Sequence, residues 1–368
     1  MKLEIIKDRL KEAVGSVERV TSKNASLVIL NNVILEAQGS VLGVKATNLE
    51  TGIEIQVPAK IDKEGSVAIN GQVLVNFLNN LYQEDKVVIE VVDGNLLVST
   101  GKGSTLVKCT PADDFPSIPH VVDGFSFSLN AKELIDCLKS VVYAASVSDI
   151  KPEISSVYVY YESPAIFFVA TDSFRLAEKK LVGNGKINNE FTPLIIPFKN
   201  ALEIIRIFDG LEDVVTVQAN KHQISIYTAS THFTSRLIDS VFPDYRQIMP
   251  TSHATEVTLN KVDFVNALKL ANVFSDRLNQ IDVKVIPGDN LVEINSRNQD
   301  VGENTITLKS EVTGEEVSMS FNVKYLLDCF QSIHSDKVIL RFNGGQKPMV
   351  LMPVGQGGFT YLVMPVRR

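Results

Sequence analysis

Six times along the chain a short alternating stretch runs into a helix-capping position and passes into an amphipathic helix. The clearest copy is S-F-S-L-N-A-K-E-L-I-D-C-L-K-S-V-V (126–142). Its alternation predicts a strand, Asn130 with Glu133 three residues on forms a capping box, and Leu134, Cys137, Leu138 and Val141 make one apolar stripe. The other copies are L-E-I-I-K-D-R-L-K-E-A-V (3–14), V-A-I-N-G-Q-V-L-V-N-F-L (67–78), L-I-I-P-F-K-N-A-L-E-I-I (194–205), V-T-L-N-K-V-D-F-V-N-A-L-K (257–269) and M-S-F-N-V-K-Y-L-L-D-C-F (319–330). Aligned on the cap positions Ile6, Asn70, Asn130, Pro197, Asn260 and Asn322, the fourth residue onward is Leu10, Leu74, Leu134, Ala201, Phe264 or Leu326. The eighth is Val14, Leu78, Leu138, Ile205, Leu268 or Phe330, and successive caps stand 60 to 67 residues apart. Stripes in one phase at so even a spacing predict a tandem-repeat architecture.

Strand signals follow each helix. After the first come 26–37, 41–47 and 52–58; after the second, 86–91, 95–100 and 105–109, with Asp93-Gly94 and Gly101 at tight hairpins. The run D-D-F-P-S-I-P-H-V-V-D-G (113–124) then breaks the pattern, and V-F-P-D-Y-R-Q-I-M-P (241–250) echoes it. The expected organisation is therefore α+β, with three tandem domains over 1–120, 121–250 and 251–368, each of two helix-plus-antiparallel-strand half-repeats. One half-repeat buries a single helix face against a small sheet and is marginal alone. A row of such units must be capped or closed. Neither terminus reads as a polar cap, so closure is expected, within one chain or by head-to-tail pairing of chains through strand edges.

Composition narrows the function. No stretch approaches the roughly 20 apolar residues of a bilayer span, and the N-terminus lacks a signal-peptide core, so a cytoplasmic protein with no membrane partner is expected. Cys109, Cys137 and Cys329 are isolated, and the last two fall on helix stripes, as buried thiols in a reducing compartment would. The five histidines show no metal-binding spacing, and no cysteine pair is present to complete a zinc site. The formal charge of −7 excludes a protein basic over its whole surface, but not a local basic face.

Such a face is legible on the helices. Positions two and nine beyond the cap lie on one side of a helix. At these positions stand Lys132, Lys139, Lys199, Arg206, Lys269 and Lys324 against the single acidic Asp8. Position six, on the other flank, holds Glu12, Asp136, Glu203 and Asp328. A repeated helix with one basic side predicts an inner surface attractive to phosphates. Contacts would be to the backbone of duplex DNA and independent of sequence, because no base-reading helix stands out.

Signals for catalysis are weak. T-G-K-G-S-T (100–105) fails the phosphate-loop spacing and precedes a strand, so it reads as a hairpin tip. Asp172 and Arg175 have neither nucleophile nor histidine beside them and point to a structural or recognition role. Leu176 beside Thr171, and the chain end Y-L-V-M-P-V-R-R (361–368), offer soft apolar groups suited to a short hydrophobic peptide. An enzyme acting on a phosphorylated metabolite in an interdomain cleft is the alternative; the polar constellation it needs cannot be assembled from the sequence.

Taken together, T-D-S-F-R-L-A, V-F-P-D-Y-R, S-F-N-V-K-Y-L-L-D and Y-L-V-M-P-V-R-R make the whole chain resemble the bacterial sliding clamp, the beta subunit of DNA polymerase III. The resemblance implies three DNA-clamp domains per subunit and a head-to-tail homodimeric ring with helices inside and sheets outside. It implies a processivity factor with no active site and no cofactor, which encircles duplex DNA and tethers replicative and repair polymerases after a clamp loader opens the ring. Other proteins carrying short hydrophobic clamp-binding motifs would share its peptide pocket. Carried over, that pocket comprises Ile154, Thr171, Ser173, Phe174, Arg175, Leu176, Pro243, Arg246, Val363, Met364, Pro365 and Val366. Many members have Gly-His where this chain has Ser173-Phe174, which implies a bulkier, more apolar rim. The dimer interface would pair the edge carrying Thr105 and Val107 with Val273 and Phe274, and Thr105 stands where some members have a large aromatic. Lys23 matches a loop able to touch DNA.

Overall fold

The computed structural model describes residues 1–21, 27–82, 84–183, 190–355 and 357–366. Six α-helices appear among them: α1 (Lys7–Glu18), α2 (Gly71–Asn80), α3 (Ala131–Val141), α4 (Phe198–Phe208), α5 (Lys261–Val273) and α6 (Val323–Asp328). Each begins one residue past an expected cap. The side chains of Asn70, Asn260 and Asn322 accept hydrogen bonds from backbone N–H groups of the first turn, satisfying donors that a helix start leaves open. Of the twelve stripe residues only Ile205 is not fully buried.

By its contacts the chain forms two compact units, one of residues 1–131, 185–190 and 206–237, the other of 132–184, 191–205 and 238–368. The first holds a five-stranded antiparallel sheet in the order Lys60–Lys63, Lys2–Ile6, Lys86–Val92, Asn95–Thr100, Gly103–Val107. It also holds a nine-stranded sheet whose central pairing joins Thr51–Pro58 to Thr231–Arg236. The helices α1 and α2 pack together here and bury Leu10, Val14, Leu74 and Leu78. The second unit has a four-stranded sheet in the order Gly302–Lys309, Leu291–Asn298, Gln280–Ile286, Val317–Asn322. Its nine-stranded sheet pairs Arg175–Val182 with the terminal strand Phe359–Val363. In both large sheets, strands distant in sequence pair directly, so the expected central domain contributes strands to each unit.

Two local expectations change. The strand expected from 26 begins at Asn32, because Val28–Asn31 winds into a 3-10 turn that buries Leu30. The sixth helix keeps α geometry only to Asp328, and the rest of its stripe, from Cys329 to Ser332, tightens into 3-10 geometry, a common way for a helix to end. The cysteines follow expectation: Cys137 and Cys329 are buried free thiols, and burial pushes Cys137 up to about 12. Among the described residues no helix is long and apolar enough to cross a membrane.

Candidate functional site

The T-D-S-F-R-L-A segment is a reverse turn between the strands Ala165–Thr171 and Arg175–Val182. Asp172 organises it, its Oδ1 accepting from the N–H groups of Phe174 and Arg175, each at 2.9 Å. The Thr171 hydroxyl donates to the Arg175 carbonyl at 2.6 Å and accepts from Ser173 N–H at 3.1 Å. These bonds hold Ser173 at φ 77°, a left-handed conformation that a residue other than glycine rarely adopts. The turn thereby thrusts Phe174 outward, 61% exposed.

Arg175 turns the other way. Its Nε donates to Asp172 Oδ2 at 3.0 Å, one terminal nitrogen pairs with Asp328, and the other donates to the Tyr143 carbonyl at 2.7 Å. The guanidinium lies 4.6 Å from the centroid of the Tyr325 ring, where its charge meets the electron-rich face. With every edge of the fork engaged, Arg175 joins the turn to α6. A structural role for the Asp172–Arg175 pair is thus what the contacts display.

The chain end lies beside this turn. Arg175 stands opposite Val363, and Met364 N–H donates to the Phe174 carbonyl at 2.8 Å. Val366 N–H then donates to the Ser320 carbonyl at 2.8 Å, so Met364, Pro365 and Val366 run along a cavity of about 470 Å³ that Ser320 and Gln346 also line. Of the other expected pocket residues, Pro243 is exposed, and Arg246, half exposed, bonds the Tyr160 hydroxyl at 2.9 Å and pairs with Glu162. Ile154, Thr171 and Val363 are buried. Leu176 does not present the apolar surface expected of it. At 1% exposure it packs with Val169, Ile195, Phe242, Tyr245 and Leu362, because the strand's alternation directs it to the opposite face from Arg175.

The basic positions are all exposed: Lys132, Lys139, Lys199, Arg206, Lys269 and Lys324. Lys199 pairs with Asp149 at 2.9 Å, with both side chains largely in solvent. Lys23 lies outside the described residues. In the first unit the position-nine residues of three helices, Gly15, Asn79 and Arg206, line one cavity of about 680 Å³. Lys11 and Arg19 line it as well, together with Asp8 and Glu12. These two cations escaped the sequence reading because they fall outside the aligned positions; Lys11 is half-buried on α1 and Arg19, its C-cap, is exposed.

These motifs have a known setting. The N-terminal, central and C-terminal domains of the DNA polymerase III beta subunit match residues 1–119, 128–244 and 246–367. The chain belongs to the DNA polymerase III beta subunit family. It is similar to the beta sliding clamp of Synechococcus elongatus, 25% identical over 372 residues and covering 100% of this chain and 99% of that one. In fold it is similar to the DNA polymerase III subunit beta of Pseudomonas aeruginosa, with TM-score 0.94, 24% identity and full coverage of both chains. The sliding clamp of Bacillus subtilis is equally similar, with TM-score 0.94, 24% identity and coverage of 100% and 99%. Beta subunits are non-catalytic scaffolds, so membership retires the alternative of a metabolite enzyme.

Two sheet margins carry the residues expected at a dimer interface. Thr105 and Val107 lie on Gly103–Val107, an edge of the five-stranded sheet, where Thr105 and Leu106 are exposed and Val107 is buried. Val273 ends α5 at 60% exposure, and Phe274 follows as its C-cap, its ring near Gly302 on an edge strand of the four-stranded sheet. Sequence reasoning missed Tyr143, Tyr325 and Asp328 as the surroundings of Arg175. Only the S-F-N-V-K-Y-L-L-D motif hinted that the last two mattered.

Proposed function

We propose that the chain is a DNA polymerase processivity factor that works as a closed ring. Two copies join head to tail, the exposed edge at Gly103–Val107 of one meeting the Val273–Phe274 margin of the other. The three domains, over 1–120, 121–250 and 251–368, place their helices on the inside of the ring and their sheets outside. Duplex DNA passes through the hole, held loosely by the lysines and arginines of the helices, while a clamp loader opens and closes the ring. Replicative and repair polymerases, and other proteins with short hydrophobic motifs, dock at Phe174, Pro243, Arg246 and the Met364–Val366 tail. The cytoplasm is its place of work.

The observation that carries this reading is the convergence of Gly15, Asn79 and Arg206 on one cavity, as a shared DNA-facing side of the helices requires. Family membership supports the general role. The decisive experiment loads the protein onto nicked circular DNA and then linearises it. Retention on the circle with loss from the linear form is the expected outcome, together with a native mass about twice the chain's 40.5 kDa. Equal retention on both forms would overturn topological encirclement.

A further inference from the structure

The nine-stranded sheet of the first unit carries a side-chain cluster that neither the basic face nor the peptide pocket uses. Across neighbouring strands Lys45 stands opposite Glu54, Glu54 opposite His232, and His232 opposite Tyr227, so the four form one row on one face. His120 is brought over this row by the segment that follows Phe115. Ile118 of that segment lies where a Cβ on Gly52 would stand only 2.9 Å from its Cγ2, so the bare backbone at Gly52 permits the close approach. The His120 ring then stacks on His232, with centroids 4.0 Å apart, and Tyr227 stacks on His232 at 4.6 Å.

His232 is 93% buried by its 7% exposure, and its Nδ1 has no hydrogen-bond partner. Its Nε2 lies 3.4 Å from the Ser225 hydroxyl, a contact that as a donor leaves the Nδ1 lone pair open. A buried imidazole nitrogen that has lost water and gained nothing calls for an occupant.

We propose that Glu54, His120 and His232 form a site for a divalent transition-metal ion of the zinc class. One donor atom from each lies within 4.8 Å of the others. Two imidazoles and one carboxylate suit Zn²⁺, Co²⁺ or Ni²⁺, whereas Mg²⁺ and Ca²⁺ favour oxygen ligands. A water completes the set from the cavity of about 320 Å³ that Glu36, Lys45, Glu54 and His120 line. Nearly parallel rings do not aim both lone pairs at one point, so binding turns the exposed His120 out of its stack and draws the donors to about 3.3 Å, as a tetrahedral ion requires. Lys45 is 3.4 Å from Glu54 but 2.7 Å from Glu36, and pairs with Glu36 alone once the cation arrives. The bound ion clips the segment carrying His120 onto the seam between Thr51–Pro58 and Thr231–Arg236. None of this depends on the ring reading.

The test titrates the chelator-stripped full chain with Zn²⁺ by calorimetry and with Co²⁺ by visible absorption. The expected result is one site of micromolar affinity with a tetrahedral Co²⁺ spectrum, weakened at least tenfold by His120→Ala and by Glu54→Gln. Both substituted side chains reach solvent, and circular dichroism verifies that the variants fold. His222→Ala, altering an exposed histidine elsewhere, should bind as the parent does. Zn²⁺ should also raise the melting temperature of the parent and not of His120→Ala. Absence of binding tighter than about millimolar, undiminished binding by His120→Ala, or loss in His222→Ala would each overturn the proposal.

Discussion

Arg175 and Asp328 stand 153 residues apart in sequence and form an ion pair. The arginine side chain is 11% exposed, and the same guanidinium also holds Asp172 and the Tyr143 carbonyl. Three elements, the turn after Thr171, the 3-10 turn Val142–Ala144 that follows α3, and the end of α6, are thereby fixed to one planar fork. The cation sits under the candidate peptide surface as its foundation.

Removing that fork strands two carboxylates and a carbonyl. Arg175→Ala is expected to cost about 2 kcal/mol of stability, chiefly because the largely buried Asp172 and the Tyr143 carbonyl lose their charged partner, whereas Asp328, 44% exposed, is partly solvated. Arg175→Lys should recover only part of it, since an ammonium cannot reach three directions at once. Urea denaturation of the three proteins checks both statements; a parent-like midpoint for Arg175→Ala would show that the contacts contribute little.

Phe174 offers the opposite case. Its ring is 61% exposed, so Phe174→Ala should alter stability by no more than about 0.5 kcal/mol. Affinity for a short Leu- and Phe-containing peptide should fall about tenfold if the ring is an anchor of the pocket rim. Fluorescence anisotropy with a labelled peptide measures it, and unchanged affinity would remove Phe174 from the pocket.

The pH dependence of stability has one legible contributor. Burial, and then the neighbouring His120, lowers His232 to about 4 from the ordinary 6.5. The folded state therefore resists a proton that the unfolded chain accepts. Stability is fully present above about 6.5 and is lost progressively as pH falls from there toward about 4. The groups around it, Glu54, Lys45, His120 and Tyr227, are retained in His232→Phe. Melting temperatures in chelator from about pH 7.5 to about 4.5 should fall less steeply for that variant than for the parent. Parallel curves would assign the acid sensitivity to other groups.

Salt dependence tests the basic face. Lys139→Ala and Arg206→Ala should each weaken binding to duplex DNA whatever its sequence. Each should also lower the slope of log affinity against log salt by about 1, the signature of one phosphate contact. Slopes identical to the parent's would mean that these side chains do not meet phosphates.

Much of this molecule is periodic, and periodicity is local. A capping asparagine, the apolar residues four and eight positions on, and the alternation before and after are decided within a dozen residues. Hence six helices and most strands stand where Asn70, Asn260, Asn322 and their stripes place them. The exposure of Lys139 and Arg206 follows from the same arithmetic. What the sequence could not decide is which distant strands meet. Thr51–Pro58 pairs with Thr231–Arg236, and Arg175–Val182 with Phe359–Val363, through backbone groups that every strand edge offers alike. Those pairings put Asp328 under Arg175, buried Leu176 in the core and set His232 beside Glu54. No spacing along the chain encodes such meetings, because side-chain partners across a sheet are chosen by packing and register between elements, not by the pattern within any one of them.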